Sequence, residues 1–131
     1  MSNFKLESKI ALVTAQIKQR AGALVRKTAF SIEGRAKASM AEPKHGRIYK
    51  RGRKEHQASA PSEAPAIDEG ALVNSIKTEI TGETSAVVGA SQETAVNLEL
   101  GTIHVAPRPF LGPAFEAEEA DFQKGMKELI K

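Results

Sequence analysis

Hydrophobic and polar positions along the first third of the chain alternate with a helical period. Leu6, Ile10, Val13, Ile17, Ala21, Leu24, Thr28 and Ile32 recur at steps of three or four, while Lys, Arg and Gln fill the other faces. That spacing predicts one long helix from Asn3 to about Met40. A helix of about 38 residues would be roughly 57 Å long, longer than a small domain is wide, so part of it must kink or lie against something else. Gly22 and Gly34 are its expected weak points, and the alternative is two helices broken near Gly34.

The pattern stops at Ala41. "AEPKHGRIYKRGRKEHQASAPSEAPAIDEG", residues 41–70, holds three prolines and three glycines with no sustained period, and reads as a long basic loop. Beyond it, "SIKTEI" (Ser75 to Ile80) alternates Ile with polar residues. A "TGET" turn and a run with Val87 and Val88 complete a predicted β-hairpin, with Ala71 to Asn74 as its lead-in or a helical turn. "SQETAVNLEL" (Ser91 to Leu100) has a polar start and apolar residues four apart, which predicts a short helix stopped by Gly101. Thr102 to Ala106 is expected to extend as a strand. Pro107 and Pro109 hold their predecessors extended, and Pro113 suits the first turn of a last helix. In that helix acidic residues are expected at the start and Lys124, Lys127 and Lys131 near the end, in agreement with the helix dipole. Phe115, Phe122, Met126 and Leu129 mark one face. The predicted fold is α+β in a single domain over 1–131: a long N-terminal helix (1–40), the basic loop (41–70), and a small antiparallel sheet with a C-terminal helix packed on it (71–131).

Composition narrows the chemistry. With five Phe, one Tyr and no Trp, the 131-residue chain has few large core side chains, and a modest core completed by partners is expected. The absence of Cys removes disulfides, thiolate metal sites and cysteine nucleophiles. No run of about 18 apolar residues and no signal-peptide pattern is present, so the expectation is a soluble protein without membrane contact. His45, His56 and His104 have no HxH or HxxxH spacing, so neither metal nor cofactor is expected.

The net charge of +3 is unevenly spread. Eight Lys or Arg from Lys5 to Lys37 face only Glu7 and Glu33, whereas Glu116, Glu118, Glu119 and Asp121 crowd together near the C-terminus. Lys18 and Arg26 on the basic helix and that acidic group form one complementary pair of surfaces for a subunit interface. Between Pro43 and His56 six Lys or Arg stand against Glu55 alone. Arg47, Lys50, Arg51, Arg53 and Lys54, with Tyr49 among them, could neutralise phosphates or an acidic partner without reading sequence; the other reading is a solvated insertion.

Three motifs in order resemble those of a known family. "DEGALVNSI" (Asp68 to Ile76, with Gly70, Leu72, Ser75 and Ile76), a "VVGA" strand, "LELGT" (Leu98 to Thr102, with Glu99 and Gly101) and "PRPFLGPAF" (Pro107 to Phe115, with Pro109, Phe110 and Pro113) look like the neck and minor tail proteins of long-tailed bacteriophages. "HQASAPSEAPAIDEG" is similar to the Ala-Pro-Gly-x-Pro-Pro run that some members carry just upstream. The chain departs from the family at Ser62, where Gly is common, at Glu69, where many relatives have Thr, and at Leu100, where an aromatic precedes Gly-Thr. "TAVN" replaces the usual Tyr-Ala before the glutamate.

The resemblance implies a non-enzymatic virion protein at the head-to-tail junction or tail end, assembled as a homo-oligomeric ring among other connector and tail proteins, with non-specific contact to DNA in the channel possible. Independently of it, Glu99, Gly101 and Thr102 suggest a polar corner in which the carboxylate accepts backbone N–H groups. No second carboxylate or His is placed to share acid–base work, so no catalytic residue is expected. The alternative function is a small nucleic-acid-binding regulator using the basic helix and loop; a nuclease-like enzyme ranks below it.

Overall fold

The structure, a computed structural model, describes residues 10–67 and 70–130. The fold is α+β, as the hydrophobic pattern predicts. Helix α1 (Ile10–Ala41) is followed by strands β1 (Ile48–Arg51) and β2 (Lys54–Gln57). Then come α2 (Ala71–Ser75), β3 (Ile76–Gly82), β4 (Ser85–Ala90), α3 (Ala95–Leu100) and α4 (Leu111–Glu128). The predicted helical residues 3–9 lie outside the described part.

Helix α1 runs unbroken for 32 residues through both glycines, about 48 Å. Gly22, expected as a weak point, is instead a point of contact. It is buried against the β3–β4 turn, where an added Cβ would run into the Glu83 carbonyl oxygen. The glycine permits a close approach whose packing outweighs its lower helix propensity.

The buried side of α1 is made of small residues and two larger ones: Ala21, Ala29, Ile32, Ala36 and Met40. Their steps of eight, three, four and four keep them on one stripe turned toward the rest of the chain. Helix α4 lies antiparallel to α1 and also packs on the strands. Arg35 Nε stands 2.5 Å from Glu118 Oε1 at one end of the helix pair, and the methyls of Leu24 press against Gly125 near the other. The core gathers Ile32, Ala36, Met40, Ile76, Ala95, Phe110 and Ala114, with Leu72, Val88 and Leu111 packed against it. Phe110, Met40 and Ile76 are its largest fully buried side chains.

Among the described residues the sheet is not one but two separate two-stranded ribbons. β3 and β4 pair antiparallel from Ile76↔Ala90 to Gly82↔Ser85, with an irregularity at Ile80–Gly82. The second ribbon corrects the reading of residues 41–70 as loop. β1 and β2 pair from Ile48↔Gln57 to Arg51↔Lys54 around a two-residue turn. Gly52 takes φ of 62° at the first turn position, the conformation of a type II′ hairpin turn.

Three further expectations are corrected. Residues 102–106 form a turn rather than a strand, because the Thr102 hydroxyl accepts the N–H groups of His104 and Val105 and the Thr102 N–H donates to the Val105 carbonyl. Such side-chain bonds compete with strand pairing. Helix α3 begins at Ala95, not Ser91. The first turn of α4 contains no acidic residue, since the helix starts at Leu111, five positions before Glu116.

Candidate functional site

The motif residues converge on one corner. α3 ends at Gly101, whose φ of 77° suits glycine and whose N–H donates to the Asn97 carbonyl at 2.8 Å. The Pro107 ring packs so near Gly101 that an added Cβ would lie 2.9 Å from it. The Arg108 N–H returns to the Leu98 carbonyl. Glu99 then faces the start of α4: Oε2 accepts the N–H groups of Phe110 at 2.8 Å and Leu111 at 3.0 Å, and Oε1 that of Gly112 at 2.7 Å. The first N–H groups of a helix have no intrahelical acceptor. Here a carboxylate from the preceding helix supplies one, where the helix dipole also favours negative charge. Phe110, next to this cap, is 1% exposed, and Pro113 sits in the first turn of α4, where its missing N–H costs nothing. Gly70 precedes α2 with φ of 83°, Ser75 Oγ donates to the Leu72 carbonyl, and Ile76 is fully buried. Thus Glu99 is a structural cap. Thr102 shapes the next turn rather than sharing Glu99's bonds.

A second turn abuts this corner. The Glu63 N–H donates to the Ala60 carbonyl, and Ser62, between them, takes φ of 71°. With Pro61 before it, this is the pattern of a type II turn, whose third residue is normally glycine. The Ser62 N–H donates to the Pro107 carbonyl at 3.0 Å and joins the two segments. Glu63 is the residue that sequence reading missed. Its carboxylate accepts the Ala60 N–H at 2.6 Å, the His45 N–H at 3.0 Å and the His45 ring Nδ1–H at 2.8 Å. The His45 ring, followed by these two backbone N–H groups, holds the Glu63 carboxyl down at about 2. The pair spans 18 residues and closes the foot of the β1–β2 ribbon, a separation that leaves no motif.

The basic cluster stands on that ribbon. Arg47, Tyr49, Lys50, Arg53 and Lys54 are exposed and Arg51 closes β1. The Arg47 guanidinium lies 5.3 Å from the Tyr49 ring centroid, a cation–π contact between residues on one side of a strand. Lys50 and Glu55 face each other across the ribbon at 3.8 Å; an exposed pair at that distance adds little stability. The ribbon is therefore a projecting positive surface carrying a planar aromatic group.

The expected interface residues do not all stay available. Lys18, Arg26, Glu116, Glu119 and Asp121 are exposed, but Glu118 is paired with Arg35 inside the subunit and its side chain is only 15% exposed. The antiparallel helix packing brings the two together, so Glu118 belongs to the α1–α4 contact and not to a free acidic surface.

Two clefts flank these surfaces. One, of about 600 Å³, lies between the end of α1, β2, α2 and α3, and is lined in part by Met40, His56, Ser59, Leu98 and Arg108. The other is apolar and lies between α1, β4 and α4. Among the described residues no group of three His, Asp or Glu could hold a metal ion, and no helix is long and apolar enough to cross a membrane.

Compared with protein-family models, with curated proteins and with solved structures, the chain finds no match.

Proposed function

We propose that this chain is a structural protein of the head-to-tail junction or tail end of a long-tailed bacteriophage, acting as one subunit of a ring in the virion. The observation that carries this reading is the turn at Ala60–Glu63. Ser62 stands where the family it resembles commonly has glycine, and Ser62 has the positive φ that glycine adopts readily. A serine holding the backbone conformation that glycine favours supports the resemblance at this position. The "LELGT" and "PRPFLGPAF" motifs support the same reading, because their glutamate, glycine and prolines together set the angle between α3 and α4.

In this reading the chain works by shape and surface. The capped corner fixes α4 on α1, the long basic helix and the acidic side of α4 supply unlike surfaces for a closed ring, and the basic ribbon faces DNA or an acidic neighbour. The test is genetic and visual: phage lacking the gene should accumulate DNA-filled heads and separate tails under the electron microscope, and supplied protein should restore joining. Normal virions without the protein would overturn the proposal.

A second reading, a small nucleic-acid-binding regulator, draws on the exposed Arg47–Tyr49 pair and the neighbouring Lys50, Arg53 and Lys54. It requires the isolated monomer to bind free DNA with an affinity that falls steeply as salt rises.

A further inference from the structure

The first third of α1 projects beyond the rest of the described fold. Helix α4 runs antiparallel to α1, with Glu118 opposite Arg35 and Gly125 opposite Leu24, and it ends at Glu128, so it reaches no further along α1 than about Ala21. The β3–β4 turn abuts Gly22. Residues 10–20 therefore extend past both, for about 16 Å. On this extension Val13 is 49% exposed. Ile17 and Arg20 follow it at steps of four and three, on the same side of the helix.

A groove of complementary character lies elsewhere on the subunit. Ala29 and Ile32 of α1, Val88 of β4, and Phe115 and Phe122 of α4 line an open apolar cleft of about 460 Å³, with Glu119 among its lining residues. Phe115 is 53% exposed within it. Glu116, beside Phe115, is exposed too.

We propose that this groove receives the projecting Ile10–Arg20 segment of a second copy of the chain. Three observations select that occupant. An amphipathic helix entering a groove needs apolar anchors at helical spacing, and Val13 and Ile17 provide them. The segment carries the exposed Lys18 and Arg20, whereas Glu119 lines the groove and the exposed Glu116 stands beside it, so docking brings unlike charges together. The segment cannot reach its own groove: Val13 and Ala29 belong to the same unbroken helix, about 24 Å apart.

The two surfaces differ, so the contact is head to tail and propagates from subunit to subunit until a ring closes. The inference rests on the proposed ring and specifies which surfaces build it.

The chain's lack of cysteine allows a clean test. Val13→Cys and Phe115→Cys are prepared as separate single variants, both at exposed positions, and circular dichroism checks that each keeps its helix content. Mixed under mild oxidation, they should give the Val13–Phe115 cross-link in several-fold excess over either homodimer. Val13→Asp in the otherwise unchanged chain should shift sedimentation to the monomer while circular dichroism shows the helix content kept. Homodimers in equal or greater amount would overturn the docking. So would the absence of cross-links while the unchanged chain still sediments as an oligomer, and that outcome leaves the ring intact. An unchanged chain that stays monomeric at every concentration, with no cross-link, would overturn both.

Discussion

The Glu99 carboxylate accepts the backbone N–H of Gly112 at 2.7 Å, so the last turn of one helix caps the first turn of the next. The same oxygen would lie 2.9 Å from a Cβ placed on Gly112, and this is why a glycine fits there. Glu99→Ala leaves three helix-start N–H groups without their acceptor and should cost roughly 1–3 kcal/mol. Gly112→Ala should destabilise the unchanged chain by displacing the carboxylate. In the Glu99→Ala background it should be neutral or stabilising, because alanine is the better helix former. Urea midpoints of the two single variants and the double variant check this. Simple additivity would mean that the glycine and the carboxylate act independently.

Phe110 fills the centre of the core beside Met40 and Ile76. Phe110→Ala should therefore cost roughly 3 kcal/mol through lost burial and the cavity left behind. Thermal unfolding measures it, and an unchanged midpoint would place Phe110 outside the cooperative core.

Ser62 occupies a backbone conformation that costs a non-glycine residue about 1 kcal/mol. Ser62→Gly should raise the urea midpoint by an amount that reflects this relief, less the added freedom of glycine in the unfolded chain. A lower midpoint would show that the serine makes a compensating contact. The two opposing terms make the gain small, so the measurement should be made by denaturant titration of both proteins side by side.

The parts of the fold that were legible in the sequence are those where a side-chain period or a backbone breaker acts locally. The stripe Ile17, Ala21, Leu24, Thr28 and Ile32 announces α1, Ile76 to Ile80 announces β3, and Gly101 announces the end of α3. The β1–β2 ribbon was hidden because Ile48, Tyr49 and Lys50 of one strand and Lys54, Glu55 and Gln57 of the other are all exposed. Without a buried face there is no alternation to read. Its turn signal, Gly52–Arg53, was present but lost among charges. The α4 cap was half legible: Glu99 looked like an acceptor of backbone N–H groups, but not of those belonging to a helix more than ten residues away. The Glu63–His45 contact left no trace, since two polar residues in an aperiodic stretch carry no geometric relation until the chain folds.

That contact makes a pH prediction. Its partners hold the folded Glu63 carboxyl at about 2, below its ordinary 4.5, so the unfolded chain binds this proton more readily than the folded one. The contribution to stability is full above about 4.5, declines as pH falls from 4.5 toward 2, and is gone below 2. Glu63→Gln should lose the part of the acid sensitivity that lies within that window. Denaturant midpoints for both proteins across the acid range test it, and parallel curves would show that Glu63 contributes nothing measurable.

The basic ribbon should be the first site opened by protease in the free subunit and a protected one in the assembled ring. Among the described residues β1 pairs only with β2, and an isolated two-stranded ribbon is marginally stable in water. The Glu63–His45 contact pins its foot, but among the described residues nothing comparable holds the Gly52–Arg53 turn, and Lys50, Arg53 and Lys54 are exposed around it. Six positive charges between Pro43 and His56, opposed by Glu55 alone, add mutual repulsion. Local opening is therefore easier here than in α1, where Lys18, Arg26 and Lys27 also offer trypsin sites but sit in an unbroken helix of 32 residues. In the ring the ribbon would meet a neighbour or DNA, and that contact offsets the cost of holding it in one conformation. Limited trypsin digestion followed by mass spectrometry should find the first cuts of the free chain between residues 50 and 54, and assembled particles should resist them. First cuts within α1, or equally fast loss of the ribbon from assembled particles, would show that assembly does not engage this surface.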